Sequence, residues 1–189
     1  MRRAVELCAD FGGVVDASAL ADSASNRSGA AGQWRDSFIK MPYNREVLTP
    51  REIIVETFET AITWERFEAF HTKIMDATRR AIREVTGRDG VVTCRFTHVY
   101  PDGPAPYFSF HCAGKRADMI KQCWDIKTAA SEVLLHEGGT ITHHHAVGRD
   151  HRRWYDRQRP ELFAQAYLAA KKHLDPNGML NPGVLFDPR

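Results

Sequence analysis

From Trp64 to about Val85, apolar residues recur at three- and four-residue spacing: Phe67, Phe70, Ile74, Ala77, Ala81, Ile82 and Val85. This pattern predicts an amphipathic helix with Thr63 at its N-cap and Gly87 and Gly90 closing it. The preceding stretch, 51–63, is β-branched and broadly alternating through Ile53, Val55, Thr57 and Phe58, and predicts a strand. Two more strands are expected over Val91–Tyr100 and Tyr107–Ala113, joined by the turn Pro101-Asp102-Gly103-Pro104. A long helix over Ala117–Glu137 is closed by Gly138-Gly139, and a short fourth strand is expected over Thr140–His144. Arg152–Leu174 reads as a last helix interrupted at Pro160, followed by a turn at Asp175-Pro176-Asn177-Gly178. Upstream, Arg2–Phe11 is helical in pattern, 16–33 reads as a flexible loop, and Trp34–Tyr43 as a short helix. After the opening helix, the order β-α-β-β-α-β predicts an α+β fold. Its plan is a ferredoxin-like antiparallel sheet flanked by helices, with its first strand missing or displaced.

A chain of 189 residues with 43% hydrophobic and 26% charged residues suits one globular domain, 1–189, ending in a tail over 175–189. A formal net charge of +2 gives no argument for nucleic acid or a membrane surface, and no apolar run approaches the ~20 residues of a membrane span. Cys8, Cys94, Cys112 and Cys123 show no CxxC spacing and no secretory signal precedes them, so free thiols and a cytoplasmic location are expected. Positive charge gathers at Arg149, Arg152, Arg153, Arg157 and Arg159, either as a solvated helix face or for an anionic ligand.

The chemistry-bearing feature is the run His143-His144-His145, since imidazole titrates near neutral pH and can donate, accept or ligate a metal. On an extended chain His143 and His145 face one side and His144 the other, which is poor for one tight metal cage. Two-residue spacing of His143 and His145 admits zinc, but no cysteine or carboxylate lies at ligand spacing nearby, so no metal is expected. Arg95, in a strand, needs a carboxylate or ligand if it points inward. His98 and His111 read as structural, and Trp64, Trp124 and Trp154 as core or interdomain anchors.

The tail Leu174-Asp175-Pro176-Asn177-Gly178-Met179-Leu180-Asn181-Pro182-Gly183 resembles the ending of FAD-linked oxidases of the vanillyl-alcohol oxidase type. Glu56-Thr57-Phe58-Glu59-Thr60-Ala61 with Thr63-Trp64, Cys94-Arg95-Phe96-Thr97, and Gly138-Gly139 through His145 narrow the resemblance to the alkyldihydroxyacetonephosphate synthases. It runs from about Trp34 to the end. Asn44 and Ala146 depart from the family pattern.

The resemblance implies that the chain is a cap or substrate domain, with FAD held by an N-terminal domain absent from this sequence. It implies catalytic roles for Tyr107, His144 and His145, substrate binding by Arg45, His143 and Arg95, and a cofactor contact at Asn181. A phenol with a pKa near ~10 acts as a base at neutral pH only where cations favour its anion, and an arginine fork clamps a phosphate or carboxylate. The implied reaction exchanges acyl for alkyl on an acyl-dihydroxyacetone phosphate. Two alternatives stay open: an FAD-dependent 2-hydroxy-acid oxidoreductase cap, and a truncated binding module without catalysis. The implied partners are an acidic small-molecule substrate and the missing FAD domain. In the binding-module reading, an apolar docking face would promote self-association, so a homodimer is among the expected states.

Overall fold

Along one strand, Phe108, Phe110 and Cys112 alternate with Tyr107, Ser109 and His111, and the two sets meet different fates. The first set is buried and the second is partly or fully exposed. The computed structural model describes residues 2–15 and 30–186, and the chain divides into two units, 1–46 and 47–189. The first unit holds α1, Arg2–Asp10, and most of α2, Ala30–Leu48, which accommodates Pro42. The expected loop therefore ends earlier. Residues 30–33 are helical, as the good helix formers Ala30 and Ala31 favour, while 16–29 lie outside the described residues.

The second unit runs β1, Ile53–Glu59; α3, Trp64–Thr86; β2, Gly90–Val99; β3, Pro104–Ala113; α4, Met119–His136; α5, Arg152–Gln158; and α6, Glu161–Leu174. The three strands form one antiparallel sheet in the order β1-β3-β2. This is an α+β arrangement in which α3 and α4 cover one sheet face. Ile54, Phe58, Val92, Phe108, Phe110 and Cys112 from the sheet pack there with Phe70, Ile74, Ile82, Ile126, Ala130 and Leu134 from the helices. At about 25 cal/mol per Å² of apolar surface removed from water, this shared face is the unit's main source of stability. Phe58 and Phe108 stack across the β1–β3 ladder with centroids 5.1 Å apart. The Pro160 interruption separates α5 from α6, as its missing N–H and fixed φ require.

The expected strand over Thr140–His144 does not form, and β1 occupies the first position of the plan. The reason is local. Thr140 Oγ1 accepts from the Ala61 amide at 2.8 Å, Thr140 N–H donates to Ala61 O at 3.2 Å, and Thr60 Oγ1 donates to Thr140 O at 2.7 Å. Gln158 takes the next groups: its Oε1 accepts from Ile141 N–H at 2.9 Å and its Nε2 donates to Gly139 O at 2.8 Å. With these backbone groups satisfied by side chains and by the Ala61 carbonyl, the segment is pinned to the end of β1 without continuing the ladder. Of the three tryptophans expected as anchors, Trp154 is fully buried, while Trp64 and Trp124 are 41% and 38% exposed.

Candidate functional site

Strand register assembles the site. Glu59 on β1 pairs with Tyr107 on β3, and Tyr107 pairs with Arg95 on β2, so the three share one row. Directly paired residues project to the same side of a sheet, and this is the side opposite the Phe58–Phe108 core. Arg95 folds over the phenol, with Cζ 4.7 Å from the ring centroid. On the same sheet face the neighbouring row Thr57-Ser109-Thr93 is polar, and the row beyond it, Val55-His111-Val91, is mixed.

The histidine run closes over this row. Glu59 is 2% exposed, and its Oε1 accepts from the amide of His143 at 3.0 Å, from the amide of His145, and from Thr142 Oγ1 at 3.4 Å. Its second oxygen, Oε2, receives no hydrogen bond of good geometry and lies 2.5 Å from His144 Nδ1. Two amides two residues apart converge on one carboxylate oxygen only where the chain bends, and the bend continues into Ala146 at φ 65°. At the far end of the loop the buried His151 holds it, with Nδ1 3.0 Å from Ala146 O and N–H donating to Val147 O at 3.0 Å.

This bend redistributes the imidazoles from the alternating arrangement expected of a strand. His144 and His145 both lie against Tyr107, with ring centroids at 6.4 and 5.2 Å. His143 turns the other way, with Nε2 3.0 Å from Tyr100 Oη and its ring 4.9 Å from that of His98. His98, expected to be structural, is exposed and belongs to this cluster. Partial desolvation of the ring, although the residue is exposed, holds the His145 imidazole below the usual histidine value. The Glu59 carboxylate opposes that shift, while His144, Lys127 and His151 reinforce it. The glycines before the run serve packing: a Cβ on Gly139 would lie 2.7 Å from both Phe70 Cζ and Thr60 Oγ1.

Tyr107, Arg95, His144 and His145 thus come together, while the His143 ring joins Tyr100 and His98 beside them. Arg45 belongs to the first unit, exposed on α2. Asn181 has φ 47° and lines a separate tail cavity of about 410 Å³ with Tyr167, Leu174 and Phe186. Glu59 and Tyr100 escaped the sequence reading. For Glu59 the available signal was a carboxylate on the β1 face opposite Phe58, beside Thr57 and Val55. The arginine-rich stretch is largely occupied by internal pairs. Arg152 and Arg159 reach Asp156, each at 2.8 Å, Arg157 reaches Glu132 at 2.8 Å, and Arg153 lies 3.9 Å over Trp154.

A family model described as FAD linked oxidases, C-terminal domain, matches residues 1–185. The chain belongs to this family. This FAD-linked oxidase C-terminal domain is 31% identical over 158 residues to the alkyldihydroxyacetonephosphate synthase of Trypanosoma brucei brucei. That match covers 81% of this chain and 25% of the relative. It is 24% identical over 155 residues to the Dictyostelium discoideum protein of the same name, again 81% and 25%. A solved structure of alkyldihydroxyacetonephosphate synthase superposes with a TM-score of 0.56 at 16% identity, covering 76% of this chain and 23% of that one. That likeness establishes a shared fold. The chain spans about a quarter of the length of these relatives.

The family implies FAD in its full-length members. Among the described residues, glycines that allow close approach are used for the chain's own packing: Gly90 against His111, Gly103 against Ile62, Gly139 against Phe70. None opens a glycine-rich cradle at a helix N-terminus, so these residues do not fit the phosphates of FAD. Among the described residues no helix is long and apolar enough to cross a membrane.

Proposed function

We propose that this domain supplies the substrate-binding and proton-handling side of an FAD-dependent enzyme resembling alkyldihydroxyacetonephosphate synthase. It would act as a cap over a flavin held by a separate FAD-binding domain. The observation that carries this reading is the convergence of Arg95, His144 and His145 on Tyr107 over one sheet face. When bound, the flavin supplies the electron-rich or electron-accepting centre, and the remaining work falls to side chains of this chain.

Tyr107 is the proton carrier: its phenol oxygen takes a proton from the substrate carbon or oxygen and returns it, with Arg95 and the two imidazoles packed around the ring. Arg95 and His143 clamp the phosphate of an acyl-dihydroxyacetone phosphate, and Arg45 is assigned to substrate binding on the family resemblance alone. Asn181 is assigned a cofactor contact on the tail. The reaction is exchange of the acyl group for an alkyl group.

In the complex of this domain with a flavin-loaded FAD-binding domain, Tyr107→Phe should lower this exchange by at least ~10²-fold, the usual scale for losing a general acid–base group, at unchanged flavin content. Turnover equal to the parent overturns the role of Tyr107. Turnover of lactate or glycolate with flavin bleaching, and none of the acyl-dihydroxyacetone phosphate, overturns the substrate class and leaves the proton carrier in place.

A further inference from the structure

We propose that Glu59, His144 and His145 bind one divalent transition-metal ion, with zinc as the representative. One donor atom from each of the three lies within 4.8 Å of the others. The decisive feature is Glu59, at 2% exposure, whose Oε2 makes no hydrogen bond of good geometry and is met only by the His144 imidazole, Nδ1 2.5 Å away, a contact that a metal ion would bridge. A carboxylate taken out of water keeps a large desolvation cost unless a cation or donors meet both oxygens. Oε1 is met by two backbone amides and the Thr142 hydroxyl, which also fix the direction of the carboxylate. Such outer contacts are how ligating carboxylates are oriented in metal sites.

Oε2 is left as a monodentate ligand. His144 and His145, both exposed, supply the imidazoles and leave a fourth position open to water or an anion. Zinc needs about 2.0–2.2 Å to each donor, so the 2.5 Å contact must open by roughly 1 Å, a movement the 44%-exposed His144 side chain can make. Two imidazoles and one carboxylate select zinc and its late first-row neighbours over calcium and magnesium, which prefer oxygen-only shells. A second triad, His98, His143 and His144, shares one ligand with the first but has no buried anion to compensate.

The proposal does not rest on the flavin reading, because it is read on the chain without FAD or substrate. The chelator-stripped full chain is titrated with zinc at pH 7.5 against a competing colorimetric indicator, and stoichiometry is confirmed by elemental analysis. One equivalent per chain is expected, undisturbed by millimolar magnesium. His145→Ala and Glu59→Gln should each weaken it by at least ~10-fold, with circular dichroism verifying the fold, while His98→Ala leaves it within about 2-fold. His145→Ala tests the site even if Glu59→Gln disturbs the loop. No stoichiometric uptake overturns the proposal. So does uptake that survives His145→Ala but is lost in His98→Ala, and so does weak uptake of several ions insensitive to all three variants.

Discussion

Glu59 and Tyr107 are direct partners across the β1–β3 ladder, and the histidine run is tied to the first and laid against the second. The carboxylate therefore sets where His144 and His145 stand relative to the phenol. The resulting geometry is that of a bent loop anchored from beneath by one buried carboxylate.

Replacing that anchor isolates its contribution. Glu59→Gln keeps the shape but removes the charge that strengthens the bonds from the His143 and His145 amides, and it turns one acceptor into a donor facing His144. Hydrogen bonds to charged groups contribute about 1.5–3 kcal/mol each, so a net loss of about 2 kcal/mol is expected in denaturant unfolding. Amide exchange should accelerate at His143 and His145 and stay unchanged in the β3 core at Phe108 and Phe110. Uniform exchange rates across the loop in both proteins would show that Glu59 does not hold it.

The α3 periodicity, the β3 alternation and the Pro160 break were legible because each depends on local spacing against one apolar face. The family resemblance led to Tyr107 and the histidines. The shape of the histidine run was not legible. A strand was expected because its residues are β-branched and bounded by glycine, yet its fate is decided by Thr60, Gln158 and Glu59, which lie up to 86 residues away in sequence. Glu59 reads as a solvated carboxylate until the register puts it beneath the loop. Arg95 could be read only as needing a partner, and the pairing of β2 with β3 supplies one in the Tyr107 ring.

The environment of His145 makes stability pH-dependent. Burial, reinforced by His144, Lys127 and His151, lowers its proton affinity below the ordinary value of 6.5, while Glu59 pulls the other way. The unfolded chain then binds the proton more readily than the folded one, so this residue costs stability as pH falls through 6.5 and has no effect well above it. His145→Gln should flatten that part of the stability profile between pH 7.5 and 5. In a histidine NMR titration the His145 midpoint should lie below 6.5, and Glu59→Gln should lower it further by removing the opposing charge. A midpoint above 6.5 in the parent protein contradicts this account.

Thiol reactivity should separate the cysteines by burial. Burial pushes the Cys94 thiol up to about 11, whereas Cys8 is exposed. Since the thiolate is the reactive form, a disulfide reagent at pH 8 should modify Cys8 promptly and Cys94 only on unfolding. Mass spectrometry of the labelled peptides reads the order directly. Labelling of Cys94 at the Cys8 rate in folded protein would mean that β2 opens far more readily than its pairing with β3 implies.

The Gly138-Gly139 pair offers the sharpest test of how the loop is seated. Gly138 has φ +78°, a conformation that L side chains rarely adopt, so its requirement is conformational. The constraint on Gly139 is one of space: its added Cβ would sit 2.7 Å from Phe70 Cζ, in the core beneath α3, and 2.7 Å from Thr60 Oγ1, which holds Thr140. Neither neighbour yields cheaply, since Phe70 is 2% exposed and Thr60 is fully buried. Gly139→Ala should therefore cost about 1–3 kcal/mol in denaturant unfolding, the usual scale for overpacking. It should also shift the histidine resonances, because the loop begins at the bond it disturbs. The double variant Gly139→Ala with Phe70→Leu should recover part of that loss by opening space at the ring position. If the single variant is as stable as the parent, the loop approaches α3 less closely than the structure has it, and the seating of His144 and His145 over Tyr107 must be loosened accordingly.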